Sequence, residues 1–128
     1  MDRRVRYQPS TDLCADWDVA QPYLEQALEG AADGSNIFDV MSALERRVAF
    51  LWVGERSAAV TVMEGDTYTL WLAGGAMDEI EAMWPDVENH ARGLGAAKVV
   101  VFGRKGWARS FLQPAGFVHK WSILEKQL

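Results

Sequence analysis

At 128 residues, 49% of them apolar, the chain is long enough for one domain with a hydrophobic core and too short for two. A single cysteine excludes an intramolecular disulfide and a cysteine zinc site. A net charge of −5 argues against a general nucleic-acid binder, because phosphate contacts would need a basic face. No apolar run reaches the roughly 18 residues of a membrane span, and no basic-then-apolar leader opens the chain. The expected setting is therefore a soluble protein of a reducing cytoplasm.

In chain order, Val5 and Tyr7 alternate with Arg4, Arg6 and Gln8, the pattern of a short edge strand ending at Pro9. A helix is predicted from residue 17 or 18 to 29. Leu24, Ala27 and Leu28 recur at helical spacing, Pro22 suits only a first turn, and Gly30 stops it. Ser35 or Asn36 can cap a second helix with the apolar stripe Ile37, Val40, Met41 and Leu44.

The middle of the chain reads as β. Residues 48–53 form a nearly continuous apolar run, Gly54-Glu55-Arg56 a hairpin turn, and residues 58–63 a second strand. After the turn Gly65-Asp66, residues 67–73 form a third strand of this meander, ending at Gly74-Gly75. A helix over 77–92 puts Ile80, Trp84, Val87 and Ala91 on one face, and Pro85 within it predicts a kink or a restart. Asp78, Glu79, Glu81, Asp86 and Glu88 crowd this helix, whereas Lys98, Arg104, Lys105, Arg109, Lys120 and Lys126 dominate the C-terminal part of the chain.

Residues 98–102 are mostly β-branched and lie between glycines, as in a strand buried on both faces of a parallel sheet. A short helix is expected over 106–112, with Trp107, Phe111 and Leu112 on one side, closed by Pro114 and Gly116. A last strand is expected over 117–124. The strand–helix–strand pattern makes 67–73 and 98–102 parallel neighbours joined by a right-handed crossover.

The order is thus β-α-α-β-β-β-α-β-α-β. With the block VVVFGRKGWAR, its Gly116-Phe117 end, and the meander VAFLWVGERSAAVTV leading to TLWLAGG, the chain resembles the GNAT (acyl-CoA-dependent N-acyltransferase) fold, and among its members the short GNAT-like proteins encoded by phages and prophages. The resemblance implies an α/β (α+β mixed-sheet) domain with a parallel pair of fourth and fifth strands, and acetyl-CoA as cofactor. In GNAT enzymes the fourth strand runs into a loop Arg/Gln-x-x-Gly-x-Gly/Ala, whose N–H groups hold the cofactor pyrophosphate at a helix N-terminus. The corresponding residues are Leu72, Ala73, Gly74, Gly75 and Ala76, followed by Met77. The loop arginine is missing. Asp78, Glu79 and Glu81 in the first helical turn suit the helix dipole but repel phosphates. The family's later Asn…Ala…Tyr pattern before Gly-Phe aligns with Lys105, Ala108 and Leu112, and Leu112 cannot donate a proton to a leaving thiolate.

Glu64 and Tyr68 flank the turn before the third meander strand and are the candidates for a catalytic base, with a surface turn role as the alternative for each. His90 and His119 lack metal-ligand spacing, so no metal site is expected. Ser110 lacks the strand-to-helix elbow of a hydrolase nucleophile. Cys14 lies between Asp12 and Asp16, whose charges disfavour a thiolate. Most of the six tryptophans read as core. Trp107, among Arg104, Lys105 and Arg109, reads either as core or as the anchor of an interface with a protein partner or a second copy. Two functions remain open. One is a binding or assembly module with weakened or lost acyl-CoA chemistry, a virion or accessory component in a host cytoplasm or phage particle. The other is a small N-acetyltransferase passing acetyl from acetyl-CoA to an amine.

Overall fold

The computed structural model describes residues 6–29, 36–102, 118–120 and 123–128. Residues 6–10 do not form the expected edge strand. Pro9 has no N–H to give a ladder. The Tyr7 N–H goes instead to the Asp86 carboxylate at 2.9 Å, and Ser10 N–H donates to Leu51 O at 2.7 Å.

Helix α1 (Leu13–Glu29) begins earlier than expected because Asp12 caps it, its Oδ1 accepting from Ala15 N–H at 3.2 Å. Pro22 therefore lies well inside the helix, where a proline costs about 3 kcal/mol. Burial of Ala20, Leu24 and Ala27 against the sheet offsets a cost of that order, at about 1.5–3 kcal/mol for the leucine alone. Asn36 caps α2 (Ile37–Glu45) through a reciprocal capping box with Asp39, and Val40, Ala43 and Leu44 enter the core.

Strands β1 (Ala49–Val53), β2 (Ser57–Glu64) and β3 (Thr67–Gly75) form the antiparallel meander read from the sequence. Helix α3 (Met77–Gly93) then crosses to β4 (Lys98–Phe102), which pairs with β3 in parallel from Thr67↔Lys98 to Leu70↔Val101. Unlike the predicted restart, α3 is unbroken at Pro85. That residue is exposed, so the carbonyl it deprives of a donor can turn to water. The expected final strand is two: β5 (Val118–Lys120) and β6 (Ile123–Gln127), an antiparallel pair. β6 lies beside β4, and the six described strands run β1-β2-β3-β4-β6-β5. The helix expected over 106–112 lies outside the described residues.

The sheet is covered on both faces. Ile80, Met83, Trp84, Val87 and Ala91 of α3 pack with Trp52, Tyr68, Leu70, Val99 and Val101, which confirms the stripe read from the sequence. On the other face, α1 and α2 pack with Leu51, Ala58, Val60 and Leu72.

One irregularity in β3 prepares the site. β2 pairs through Thr61↔Leu70 and then Val60↔Leu72, so Trp71 is an extra residue on β3. A bulge shifts the alternation of side chains. Tyr68 and Leu70 face α3, Trp71 and Leu72 join the opposite layer, and Ala73 returns to the α3 side. Among the described residues the parallel ladder with β4 ends one residue earlier, at Leu70. Among the described residues, β3 runs on to Gly75 paired with β2 alone.

Candidate cofactor site at the junction of β3 and α3

The loop that sequence resemblance assigns to the cofactor, Leu72 to Ala76, lies on this last stretch of β3 and leads into α3. Its two glycines serve the chain itself. A Cβ on Gly74 would collide with the Tyr23 carbonyl oxygen of α1. Gly75 has φ +95°, and its Cβ would collide with the Arg56 carbonyl oxygen. Close approach of α1 and of the β1–β2 turn therefore accounts for both glycines without an anion.

The N-terminus of α3 is clamped to that turn. Ala76 N–H donates to Arg56 O at 3.0 Å, and Arg56 N–H donates to Glu79 Oε1 at 2.9 Å. The Ser57 hydroxyl donates to the same Glu79 oxygen. Glu79 is buried, with 6% of its surface exposed. Its carboxylate is thus spent on the turn, a different role from the expected repulsion of phosphates. Ala76 supplies no side-chain cap to α3.

Asp78 lies in the first turn of α3. The Arg56 guanidinium bonds its Oδ2 at 2.9 Å, with both side chains largely exposed at 59% and 73%. The Asp78 carboxyl is held below the ordinary carboxylate range, first by the hydrogen bond from Arg56. The Arg56 charge and the backbone N–H groups of Asp78 and Glu79 act in the same direction, against the opposing effect of burial. An anion therefore suits this donor set, as its present occupant demonstrates. One guanidinium bonds a carboxylate at the first turn of α3, the same kind of contact that a diphosphate oxygen makes with a cation.

Arg56 is the residue that sequence reasoning missed. The family places its arginine in the loop before the helix, where this chain has none. Here a cation arrives from a hairpin turn 22 positions before Asp78. No local pattern announces it; only the docking of the turn on α3 brings it there.

The candidate bases lie elsewhere. Glu64 is exposed beside the β2–β3 turn and pairs with Thr67, at the end of β3 opposite Gly74 and Gly75. Tyr68, read as a turn or cleft residue, is fully buried in the α3 layer. Its hydroxyl lies 2.7 Å from Thr61 Oγ1 and 2.7 Å from His90 Nδ1. Trp52 Nε1–H, which can only donate, reaches Thr61 Oγ1 at 3.0 Å. We read the direction as Trp52 to Thr61 to Tyr68 to His90, each group donating to the next. Burial pushes the Tyr68 phenol up to about 12, although the hydrogen bond from Thr61 and the nearby Trp52 N–H pull the other way. Burial also lowers the proton affinity of His90, whose ring meets Phe50, Trp52 and Tyr68 edge-on. The chain of contacts through Tyr68 thus connects β1, β2 and β3 to α3.

Among the described residues no group of three or more His, Cys, Asp or Glu could hold a metal, and no helix is long and apolar enough to cross a membrane. Cys14 is exposed on α1. Arg104, Lys105, Trp107 and Arg109, together with Ser110 and Leu112, lie outside the described residues.

No sequence-family model matches the chain, and no curated protein matches it in sequence. Solved structures do. A GNAT family acetyltransferase from Brucella melitensis in complex with acetyl-CoA superposes with a TM-score of 0.66 at 13% identity, over 96% of this chain and 87% of that one. A Bacillus subtilis acetyltransferase in complex with CoA gives 0.61 at 15% identity, over 98% of both chains. The ribosomal-protein-S18-alanine N-acetyltransferase of Escherichia coli gives 0.61 at 16% identity, over 94% of this chain and 90% of that one. The fold is therefore that of the GNAT acetyltransferases, the fold class expected from the sequence. At these identities the likeness concerns the fold, and function has to be argued from the site.

Proposed function

We propose that this chain is a GNAT-fold protein with weakened acyl-CoA chemistry, working as a binding or assembly module more than as a catalyst. The observation that carries this reading is Asp78: a carboxylate of the chain itself holds the Arg56 guanidinium at the α3 N-terminus, where a cofactor diphosphate would need a cation. Where CoA or acetyl-CoA does dock, the backbone from Leu72 to Ala76, the first-turn amides of α3 and Arg56 would hold it. The thioester would then supply the activated acyl group. The chain's own contribution would be to fix the diphosphate and offer the edge of β3 past Leu70 to the pantetheine arm.

The resemblance to short phage- and prophage-encoded proteins supports a virion or accessory role, in particle or host cytoplasm. For the contact surface we assign the segment bearing Arg104, Lys105, Trp107 and Arg109, facing an acidic partner or a second copy. Trp107→Ala would then abolish association in a variant that stays folded. A large loss of thermal stability with association unchanged would make Trp107 core.

A second reading, an active small N-acetyltransferase passing acetyl from acetyl-CoA to an amine, is favoured by the bulge at Trp71 and, among the described residues, the end of the parallel ladder at Leu70. There β3 is freed from β4 where a pantetheine arm could lie. Structural neighbours crystallised with acetyl-CoA or CoA support the same possibility. Calorimetric titration with acetyl-CoA, followed by an assay of thiol release over a panel of primary amines, separates the two. Millimolar or absent binding without thiol release agrees with the module. Micromolar binding with amine-dependent release overturns it in favour of the enzyme.

A further inference from the structure

We propose that Arg56 is the cation of the diphosphate site and that Asp78 is its built-in competitor, so that CoA binds only by taking Arg56 away from Asp78. The inference rests on the reading of the β3–α3 junction as the place where a cofactor diphosphate docks. It adds a residue from outside the loop and a reason for weak affinity.

Three features of the junction support it. Arg56 is fixed from both sides of its backbone, its carbonyl oxygen by Ala76 N–H and its N–H by Glu79, so its side chain starts from a rigid point beside the first turn of α3. The guanidinium is exposed and has a carboxylate at 2.9 Å, in an orientation that an anionic oxygen of a ligand can take over. The two acidic neighbours differ in kind. Glu79 is buried and committed to Arg56 N–H and Ser57, and so cannot be displaced without undoing the turn. Asp78 is exposed at the helix terminus and can rotate into solvent. Competition between a free diphosphate and a tethered carboxylate favours the carboxylate at low ligand concentration, because the tether keeps it locally abundant.

The test measures CoA and inorganic pyrophosphate affinity by calorimetry for the wild type, Asp78→Asn, Arg56→Gln, the double variant, and Glu81→Gln as a charge control. Glu81 is exposed on α3, so its substitution removes the same charge from the same helix. The expected result is that Asp78→Asn binds CoA about tenfold tighter or better, the worth of one charge-assisted hydrogen bond. The double variant should lose most of that gain, and Glu81→Gln should give much less. Raising the salt should shrink the gain. Pyrophosphate should reproduce the pattern and move the amide resonances of Met77 to Glu79, and unchanged melting temperatures would show that the variants fold. The inference is overturned if Asp78→Asn binds no tighter than the wild type, if the double variant equals Asp78→Asn, or if Glu81→Gln gives the same gain. If no variant binds CoA, the inference fails while the weakened-chemistry reading stands. If the wild type already binds in the micromolar range but Asp78→Asn is still tenfold tighter, the weakened-chemistry reading fails and the competition holds.

Discussion

Replacing Tyr68 with phenylalanine tests the hydrogen-bonded link that ties β1, β2 and β3 to α3. The ring stays and continues to fill the core, so the transfer energy of the side chain is nearly unchanged. What is lost is one hydroxyl with two partners, Thr61 Oγ1 and His90 Nδ1, both at 2.7 Å. Each buried hydrogen bond contributes about 0.5–1.5 kcal/mol net, and a partner left unsatisfied costs about 1–3 kcal/mol. Thr61 keeps Trp52 as a donor, and half-buried His90 can recover a water. These compensations put the expected loss at about 2 kcal/mol. For a chain of this length that lowers the melting temperature by roughly 6–10 °C. Urea unfolding followed by tryptophan fluorescence, with calorimetry alongside, gives both numbers. Thr61→Val alone and combined with Tyr68→Phe completes a cycle in which coupling of about 1 kcal/mol is expected. A loss below about 0.5 kcal/mol for Tyr68→Phe, or strict additivity in the cycle, would refute the idea that the link contributes to stability.

Three further outcomes are expected. Burial lowers the proton affinity of His90 below its ordinary value of 6.5. Above that pH, folded and unfolded chains both carry it neutral; below it the unfolded chain takes the proton first, so stability should fall from about pH 6.5 downward until the folded ring titrates. His90→Asn should flatten that part of the urea-midpoint profile, and an unchanged slope would count against the assignment. Gly74→Ala should cost about 2–3 kcal/mol in urea unfolding, because its Cβ would meet the α1 backbone at Tyr23 O, which cannot move aside as a side chain can. Lys126→Met should cost about 2 kcal/mol by the same measurement, since Lys126 Nζ holds nearly buried Glu88 at 2.9 and 3.0 Å. The cost stays below the roughly 3–5 kcal/mol of a fully abandoned buried charge because Trp84 and Arg92 still reach Glu88.

The loop of two glycines shows where a pattern in the sequence suggested a different cause. Gly74-Gly75 matches an anion cradle by composition, yet the contacts that forbid a side chain there come from Tyr23 and Arg56 of the same chain. Likewise Glu79 and Asp78 are neighbours of identical charge. One is buried under a hairpin turn and the other is exposed at the helix end, and only their surroundings separate their roles.

The sequence alone determined the strands of the meander, the apolar face of α3, and the parallel pairing of β3 with β4. Those features follow from local periodicity, from glycine turns, and from the helix between two apolar strands, which returns the chain to the same end of the sheet and so makes the strands parallel. Tertiary structure decided what short-range patterns cannot encode. It placed the extra residue at Trp71 and, among the described residues, ended the ladder at Leu70. It carried α3 unbroken through Pro85 by leaving that residue in water, and it joined Tyr68 to His90. It also brought Arg56 to the end of α3. Each of these depends on which surfaces meet when the layers pack, and that energy belongs to pairs of residues distant in the chain.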